Sequence, residues 1–242
     1  MYGGYTMLMR LDKFLSEAGA ASRRDCKQMI REGRVCVDGA VVRVPEQKIE
    51  SNACVTADGR EVRLFGAMML MLHKPAGYLT AVEDAEWKTV MELLPKEYAN
   101  AGLKPIGRLD AETEGLLLFT NDGDLAHRIL APKRKIWKTY YAEHTGLATE
   151  ADAQAFTEGL ILKDGTDCLP AELHILSEGK AEILVCEGKY HQVRRMLASR
   201  GKPVRVLRRL SVGGLHLDES LGPGGFRELT EEDLCTLFNS QN

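Results

Sequence analysis

Gly107-Arg108-Leu109-Asp110-Ala111-Glu112-Thr113-Glu114-Gly115-Leu116-Leu117-Leu118-Phe119-Thr120-Asn121-Asp122-Gly123 reads as a loop, a buried strand and a turn in succession. The unbroken apolar run 116–119 is too short for a helix and too apolar for a strand with one wet face, which predicts a core strand. Asn121-Asp122-Gly123 is a turn, and 124–130 reads as a short helix. Asp110 therefore lies in a tight loop entering a core strand, aimed by the scaffold and flanked by Arg108. A neighbouring cation keeps a carboxylate ionised, as a nucleophile requires. On its own, an Asp beside an Arg in a loop is more often structural than chemical, so the rest of the chain has to decide.

Upstream, 68–72 is strand-like and closes in His73-Lys74-Pro75-Ala76-Gly77, where Pro and Gly force a turn. A polar pair leaving a strand reads as a loop anchor before it reads as chemistry. Downstream, Lys133, Arg134, Lys135 and Lys138 are interleaved with Trp137, Tyr140 and Tyr141. Bases among aromatics suit nucleic acid, because rings stack on bases while cations hold phosphates. A strand-like run at 181–186 leads into Glu187-Gly188-Lys189-Tyr190-His191-Gln192-Val193-Arg194-Arg195-Met196, which opens a short basic helix ending near Gly201. Gly222-Pro223-Gly224-Gly225 is a turn, and 229–234 starts a capped closing helix. Strand-like and helix-like runs joined by short turns predict an α+β domain over 67–242, with helices packed on a mostly antiparallel sheet.

A smaller domain is expected over 9–66, joined through a short linker at Phe65-Gly66-Ala67. Leu11, Phe14, Leu15 and Ala18 form one helical stripe stopped by Gly19. Ser22 followed by Asp25 opens a second helix that Gly33 ends. Val35 and Val37, then Asp38-Gly39, then Val41 read as strand, tight turn, strand. Arg23, Arg24, Lys27, Arg31 and Arg34 cluster on and just after the second helix, which suits phosphate contacts that give affinity without reading sequence.

With 32 basic and 35 acidic residues, the net charge of -3 lacks the positive excess of a general nucleic-acid coat. Distribution matters more than the total: residues 10–43 hold eight Lys/Arg against five Asp/Glu, and 187–209 hold eight against one. Two basic patches on an acidic body predict a localised RNA contact. No apolar run approaches the roughly 18 residues that span a membrane. Residues 1–8 lack the basic start and apolar stretch of a secretory signal and are assigned no role. The six cysteines form no C-x-x-C pair, which argues against a zinc module and for a reducing cytosol. There is neither a P-loop nor a G-x-G-x-x-G, so no cofactor or metal is expected. The chain reads as cytoplasmic and monomeric.

Met9-Arg10-Leu11-Asp12-Lys13-Phe14-Leu15, Ser22-Arg23-Arg24 and Gly33-Arg34-Val35-Cys36-Val37-Asp38-Gly39 resemble an S4 domain, a small helix-helix-hairpin RNA-binding module. The set Gly107–Asp110 with Thr113-Glu114-Gly115, Lys138-Thr139-Tyr140, and 188–196 resembles the pseudouridine synthases; 73–77 and 207–210 fit the same pattern. The wording of 187–196 and the S4 module look most like the branch that modifies one uridine in small-subunit (16S) ribosomal RNA, with the large-subunit branch close behind.

The resemblance implies a cofactor-free isomerisation: uracil leaves ribose C1′, rotates, and rejoins through C5. It implies Asp110 as nucleophile, Tyr140 stacking on the target base, and an Arg after Gln192-Val193 pairing with Asp110. That Arg is Arg194, with Arg195 the fallback; Val193 packs near the base. Arg108, Lys138, Gln192 and Arg195 complete the expected substrate contacts. It further implies a central mixed sheet with the active cleft across it. Ribosomal RNA, free or within a small-subunit assembly particle, is the expected partner. The rival functions are a non-catalytic ribosomal RNA-binding assembly protein, which need not keep Asp110, Tyr140 and Arg194 together, and a hydrolase, which wants a second carboxylate across the substrate.

Overall fold

The computed structural model describes residues 8–62 and 67–239. Phe65 and Gly66 of the expected linker, and residues 1–7, lie outside the described residues. The chain groups into two compact units: residues up to Met68 with Leu94–Lys104, and Met69–Leu93 with Pro105–Asn242.

In the first unit the elements run β1 (Leu8–Arg10), α1 (Leu11–Glu17), α2 (Arg23–Arg31), β2 (Val35–Val37), β3 (Ala40–Val42), β4 (Lys48–Glu50), β5 (Val55–Ala57) and β6 (Arg60–Val62). The expected helical stripe is buried: Leu11, Phe14 and Leu15 close on Cys26 and Ile30 of α2 and on Val35 and Val55. Ser22 caps α2, its Oγ accepting from the Asp25 amide at 3.2 Å. The sheet order is β3-β2-β5-β6, all antiparallel. Both of its outer hairpins turn on Asp-Gly. Asp38 and Gly39 have φ of 51° and 82°, Asp58 and Gly59 51° and 76°, the left-handed pair that a two-residue hairpin demands. Asp12 is fully buried and meets Arg10 at 2.8 Å, Arg23 at 3.7 Å and Lys27 at 3.8 Å.

Chain order continues with β7 (Met69–Lys74), α3 (Lys96–Asn100, grouped with the first unit), β8 (Lys104–Ile106), β9 (Thr113–Thr120), α4 (Gly123–Leu130), β10 (Lys138–His144), α5 (Glu150–Glu158), β11 (Leu160–Ile161), β12 (Asp167–Cys168), β13 (Glu172–Ser177), β14 (Lys180–Val185), α6 (Gln192–Ser199), β15 (Val204–Val212), β16 (Leu215–His216), β17 (Phe226–Glu228) and α7 (Glu231–Phe238). The main path of the sheet is β13-β14-β10-β15-β9-β7-β17. Its pairs are antiparallel except β15 with β9, which makes it the mostly antiparallel mixed sheet expected from the sequence. One core cluster joins Phe156 of α5 and Val193, Met196 and Leu197 of α6 to Ala142, Ile183 and Leu207. A second joins Ile129 of α4 and Leu237 of α7 to Met69, Met71, Leu116 and Leu118.

The apolar run of β9 is buried from Gly115 to Thr120, as a strand paired on both sides must be. At its start Gly115 (φ +101°) lies so close to β15 that a Cβ there would collide with the Arg209 backbone. Against the sequence expectation, His73 and Lys74 do not leave β7 but end it, both buried. Asp122 caps α4, its Oδ1 accepting from the Asp124 and Leu125 amides at 2.9 and 3.0 Å. The closing helix has a reciprocal cap between Thr230 and Asp233. No helix among the described residues is long and apolar enough to cross a membrane.

Candidate active site

The Asp110 loop is pinned from behind at three points. The Lys74 ammonium donates to the carbonyls of Pro75, Ala111 and Thr113 at 3.0, 2.9 and 2.9 Å. Thr80 Oγ1 donates to the Leu109 carbonyl at 2.7 Å and accepts from the Leu109 amide at 3.2 Å. The Gly77 amide donates to Ala111 at 2.9 Å. Lys74 is thus the loop anchor itself. Burial pushes its ammonium down to about 8, against the pull of Glu112, Asp110 and Glu114. Three carbonyl acceptors match the three donors of an ammonium, so the charged form is the one that closes the loop.

Held this way, the Asp110 carboxylate stands 30% exposed between two nitrogen-bearing side chains. Arg194 Nε lies 3.8 Å from Oδ2 and His191 Nε2 3.4 Å from Oδ1. Thr113 Oγ1 donates to Oδ2 at 3.4 Å. Arg194 also donates from Nη2 to the Glu112 carbonyl at 3.1 Å, so one guanidinium grips both the carboxylate and its loop. Arg194 is the arginine that faces Asp110. Arg195 turns to Asp164 at 2.5 Å and to the Tyr190 carbonyl at 3.2 Å.

Val193 is buried in the core cluster against which Tyr140 packs, half-buried on β10 opposite Ile183 and Arg209. Among the described residues no hydrogen bond links the Tyr140 hydroxyl to Asp110. Lys138 is half-buried on the same strand; burial and then the Arg209 charge bring its ammonium down to about 8. Arg108 is exposed. Gln192 is not free for a substrate: it is buried, its Nε2 donates to Glu187 at 2.8 Å and its Oε1 accepts from the Lys189 amide at 2.9 Å. In the first unit, Arg34 is committed to Asp58 and to Glu32 at 3.2 Å, and Arg23 and Lys27 lean over buried Asp12, while Arg24 and Arg31 are exposed.

Sequence reasoning missed His191. It occupies the left-handed region (φ 48°, ψ 35°) at the start of α6, a conformation concentrated at functional sites. The only sequence signal was its place one residue before Gln192-Val193-Arg194, in a segment already singled out.

Comparison with known proteins gives first a class, an RNA-modifying enzyme with an S4 module ahead of its catalytic domain. The S4 domain profile matches residues 9–53, and that of the RNA pseudouridylate synthases matches 68–199. Over 231 residues the chain is 39% identical to the ribosomal small subunit pseudouridine synthase A of Vibrio cholerae, and 37% to the protein so named in Escherichia coli K12; each alignment covers 95% of this chain and all of the relative. An uncharacterized RNA pseudouridine synthase of Bacillus subtilis is 38% identical over 238 residues, 96% of this chain and all of that one. A crystal structure described as pseudouridylate synthase matches with a TM-score of 0.67 and 33% identity, over 95% of this chain and 99% of the other. The chain belongs to the RNA pseudouridylate synthase family.

Proposed function

We propose that this protein isomerises a single uridine of small-subunit ribosomal RNA to pseudouridine, with Asp110 as nucleophile. The observation that carries the reading is a carboxylate on a triply pinned loop with Arg194 and His191 at its two oxygens. Such a group is aimed by its loop at one place and can attack without a cofactor. Tyr140 offers a flat face to the uracil and Val193 the apolar wall beside it. Arg108 and Lys138 hold substrate, and Arg24 and Arg31 carry phosphates at the S4 domain. We take residues 9–66 as the RNA-binding domain and 67–242 as the catalytic one. The names of the Vibrio and Escherichia relatives support the small subunit as target. The protein acts in the cytoplasm as a monomer, on free ribosomal RNA or an assembling particle.

Rejoining uracil through C5 frees the hydrogen there, which gives the test. Small-subunit ribosomal RNA carrying tritium at C5 of uridine is incubated with the protein alone, and release to water is counted. One equivalent per RNA is expected. Asp110→Asn should lower release by at least about 10⁴-fold, as loss of a nucleophile does, while RNA affinity survives. Release from large-subunit RNA alone would move the target. Silence on both RNAs and on precursor particles, with tight binding intact, would leave an RNA-binding protein without this activity.

A further inference from the structure

The segment Gly188-Lys189-Tyr190-His191 has a geometry that fixing Asp110 does not explain. His191 adopts a left-handed backbone, costly for a residue with a Cβ, yet its side chain caps no amide of α6. What the conformation does is present two rings together. The Tyr190 ring stacks on the His191 imidazole, centroids 3.8 Å apart and planes 17° from parallel. The edge of that imidazole lies 3.4 Å from Asp110. Tyr190 is 75% exposed, and among the described residues its hydroxyl has no hydrogen-bond partner. One face of the tyrosine is covered by His191, and the ring contributes nothing to a core.

We propose that Tyr190, backed by His191, is a stacking platform for the base of the nucleotide next to the target uridine. A uridine drawn out to Asp110 leaves its neighbours without a stacking partner. An uncovered aromatic face beside the carboxylate restores that contact and tolerates any base, because every base has a π-face. The order is then base, Tyr190, His191, with the imidazole edge on the reacting carboxylate. This places the stacked base next to the extruded one along the RNA. Lys189 does not take this role: its ammonium is held by Glu187 at 3.2 Å and by the Asp167 carbonyl. The inference rests on the reading of Asp110 as the reacting group.

The test compares wild type, Tyr190→Phe and Tyr190→Ala on the ribosomal RNA that supports turnover, by filter binding at fixed salt and by tritium release. Tyr190→Ala should weaken affinity by roughly 5- to 150-fold, the effect of losing one base–aromatic stack, and should raise KM more than it lowers kcat. Tyr190→Phe, which keeps the ring, should recover the affinity. With the modified position mapped, RNAs abasic on one or the other side of it complete a double-mutant cycle. One of them should cost the wild type as much as Tyr190→Ala does and cost Tyr190→Ala nothing more. Equal affinity of Tyr190→Ala and wild type, or fully additive losses with both abasic RNAs, overturns the platform. A failure of the Asp110 reading looks different: Asp110→Asn would keep releasing tritium, whereas the platform is read from affinity.

Discussion

Arg194 meets Asp110 through Nε and the Glu112 carbonyl through Nη2, so it orients the carboxylate and the loop that bears it. A lysine keeps the charge and loses the fork. Arg194→Lys is expected to lower kcat about a hundredfold, on the scale of one lost preorganised donor, with RNA affinity nearly intact; unchanged tritium release would remove Arg194 from the site. Lys74 gives a prediction in pH. Its folded value of about 8 lies below its ordinary 10.5. Between those limits the unfolded chain binds more protons, so Lys74 makes stability rise with pH there. Activity should go the other way, because a neutral amine has two donors for three carbonyls and the Asp110 loop loosens. The pH–rate profile should therefore fall above about pH 8 while urea midpoints do not; a flat profile to pH 10 would sink the argument. The Gly107–Asp110 and Gln192–Arg195 segments were legible as site-bearing sequence, but the choice between Arg194 and Arg195 was not. Successive helical residues point about 100° apart, so one arginine faces the carboxylate, and the sequence carries no phase for α6. The inward phase of Gln192 was hidden for the same reason.

Between elements, a buried polar junction joins α5 to the end of α6. Asp152, in the first turn of α5, is 3% exposed and receives Thr149, Arg200 and Lys202 at 2.9, 2.9 and 2.8 Å. Burial opposes its ionisation, yet the hydrogen bonds from Lys202, Thr149 and Arg200 hold the carboxyl well below the usual range. A lowered carboxylate stabilises the fold above its unfolded value of 3.8 and loses that contribution as pH falls through the folded one. Asp152→Ala leaves Lys202, itself only 8% exposed, without its carboxylate and with the Arg200 carbonyl at 2.9 Å as its remaining acceptor among the described residues. The expected loss is about 3–5 kcal/mol in urea unfolding at pH 7, shrinking in strong acid; a loss under 1 kcal/mol would mean that Lys202 and Arg200 find water instead. The Arg200 and Lys202 contacts were not readable beforehand, since they lie about fifty residues from Asp152, whereas the Thr149 cap is local. Elements whose signal is local were readable: the Leu-Leu-Leu-Phe strand, the helix capped by Asp122, the closing helix, the Asp38-Gly39 hairpin. The Asp58-Gly59 hairpin carries the same dipeptide and was open to the same reading. His73 and Lys74 were read as loop because two polar residues contradict a buried strand. Their partners resolve the contradiction: three carbonyls for Lys74 and, for His73 Nδ1, the Leu221 carbonyl at 2.7 Å.

Counted along the whole chain, the two basic patches overstate the charge available to RNA. Of the eight cations in 187–209, Lys189 pairs with Glu187, Arg194 with Asp110, Arg195 with Asp164, Arg200 and Lys202 with Asp152, and Arg208 with Glu114. Arg209 is buried and donates to the Leu116 carbonyl at 2.7 Å, so among the described residues Arg205 is the one of the eight that is exposed and uncommitted. The S4 domain follows suit: Arg10, Lys13 and Arg34 are in ion pairs, and Arg23 and Lys27 stand within 4 Å of Asp12. Of the eight cations in 10–43, Arg24, Arg31 and Arg43 are exposed and have no ion pair among the described residues, and Arg43 donates to the Arg31 carbonyl at 3.1 Å. A cation already neutralised releases few counterions when it meets a phosphate, and a free one releases its full share. The salt dependence of RNA binding can thus separate the two kinds. Replacing Arg24 and Arg31 together by Gln should weaken binding across sequences and reduce the slope of log K against log salt by about 1.4 to 1.8, two contacts' worth. Replacing Arg195 and Arg200 together by Gln should change that slope by less than about 0.5, since both have carboxylate partners in the fold. Titrating both pairs against the same ribosomal RNA from 50 to 200 mM salt, roughly the range over which such slopes are read, decides it. Equal slope changes would mean that RNA displaces the internal carboxylates, and that cations on the catalytic domain bind phosphate in spite of their partners.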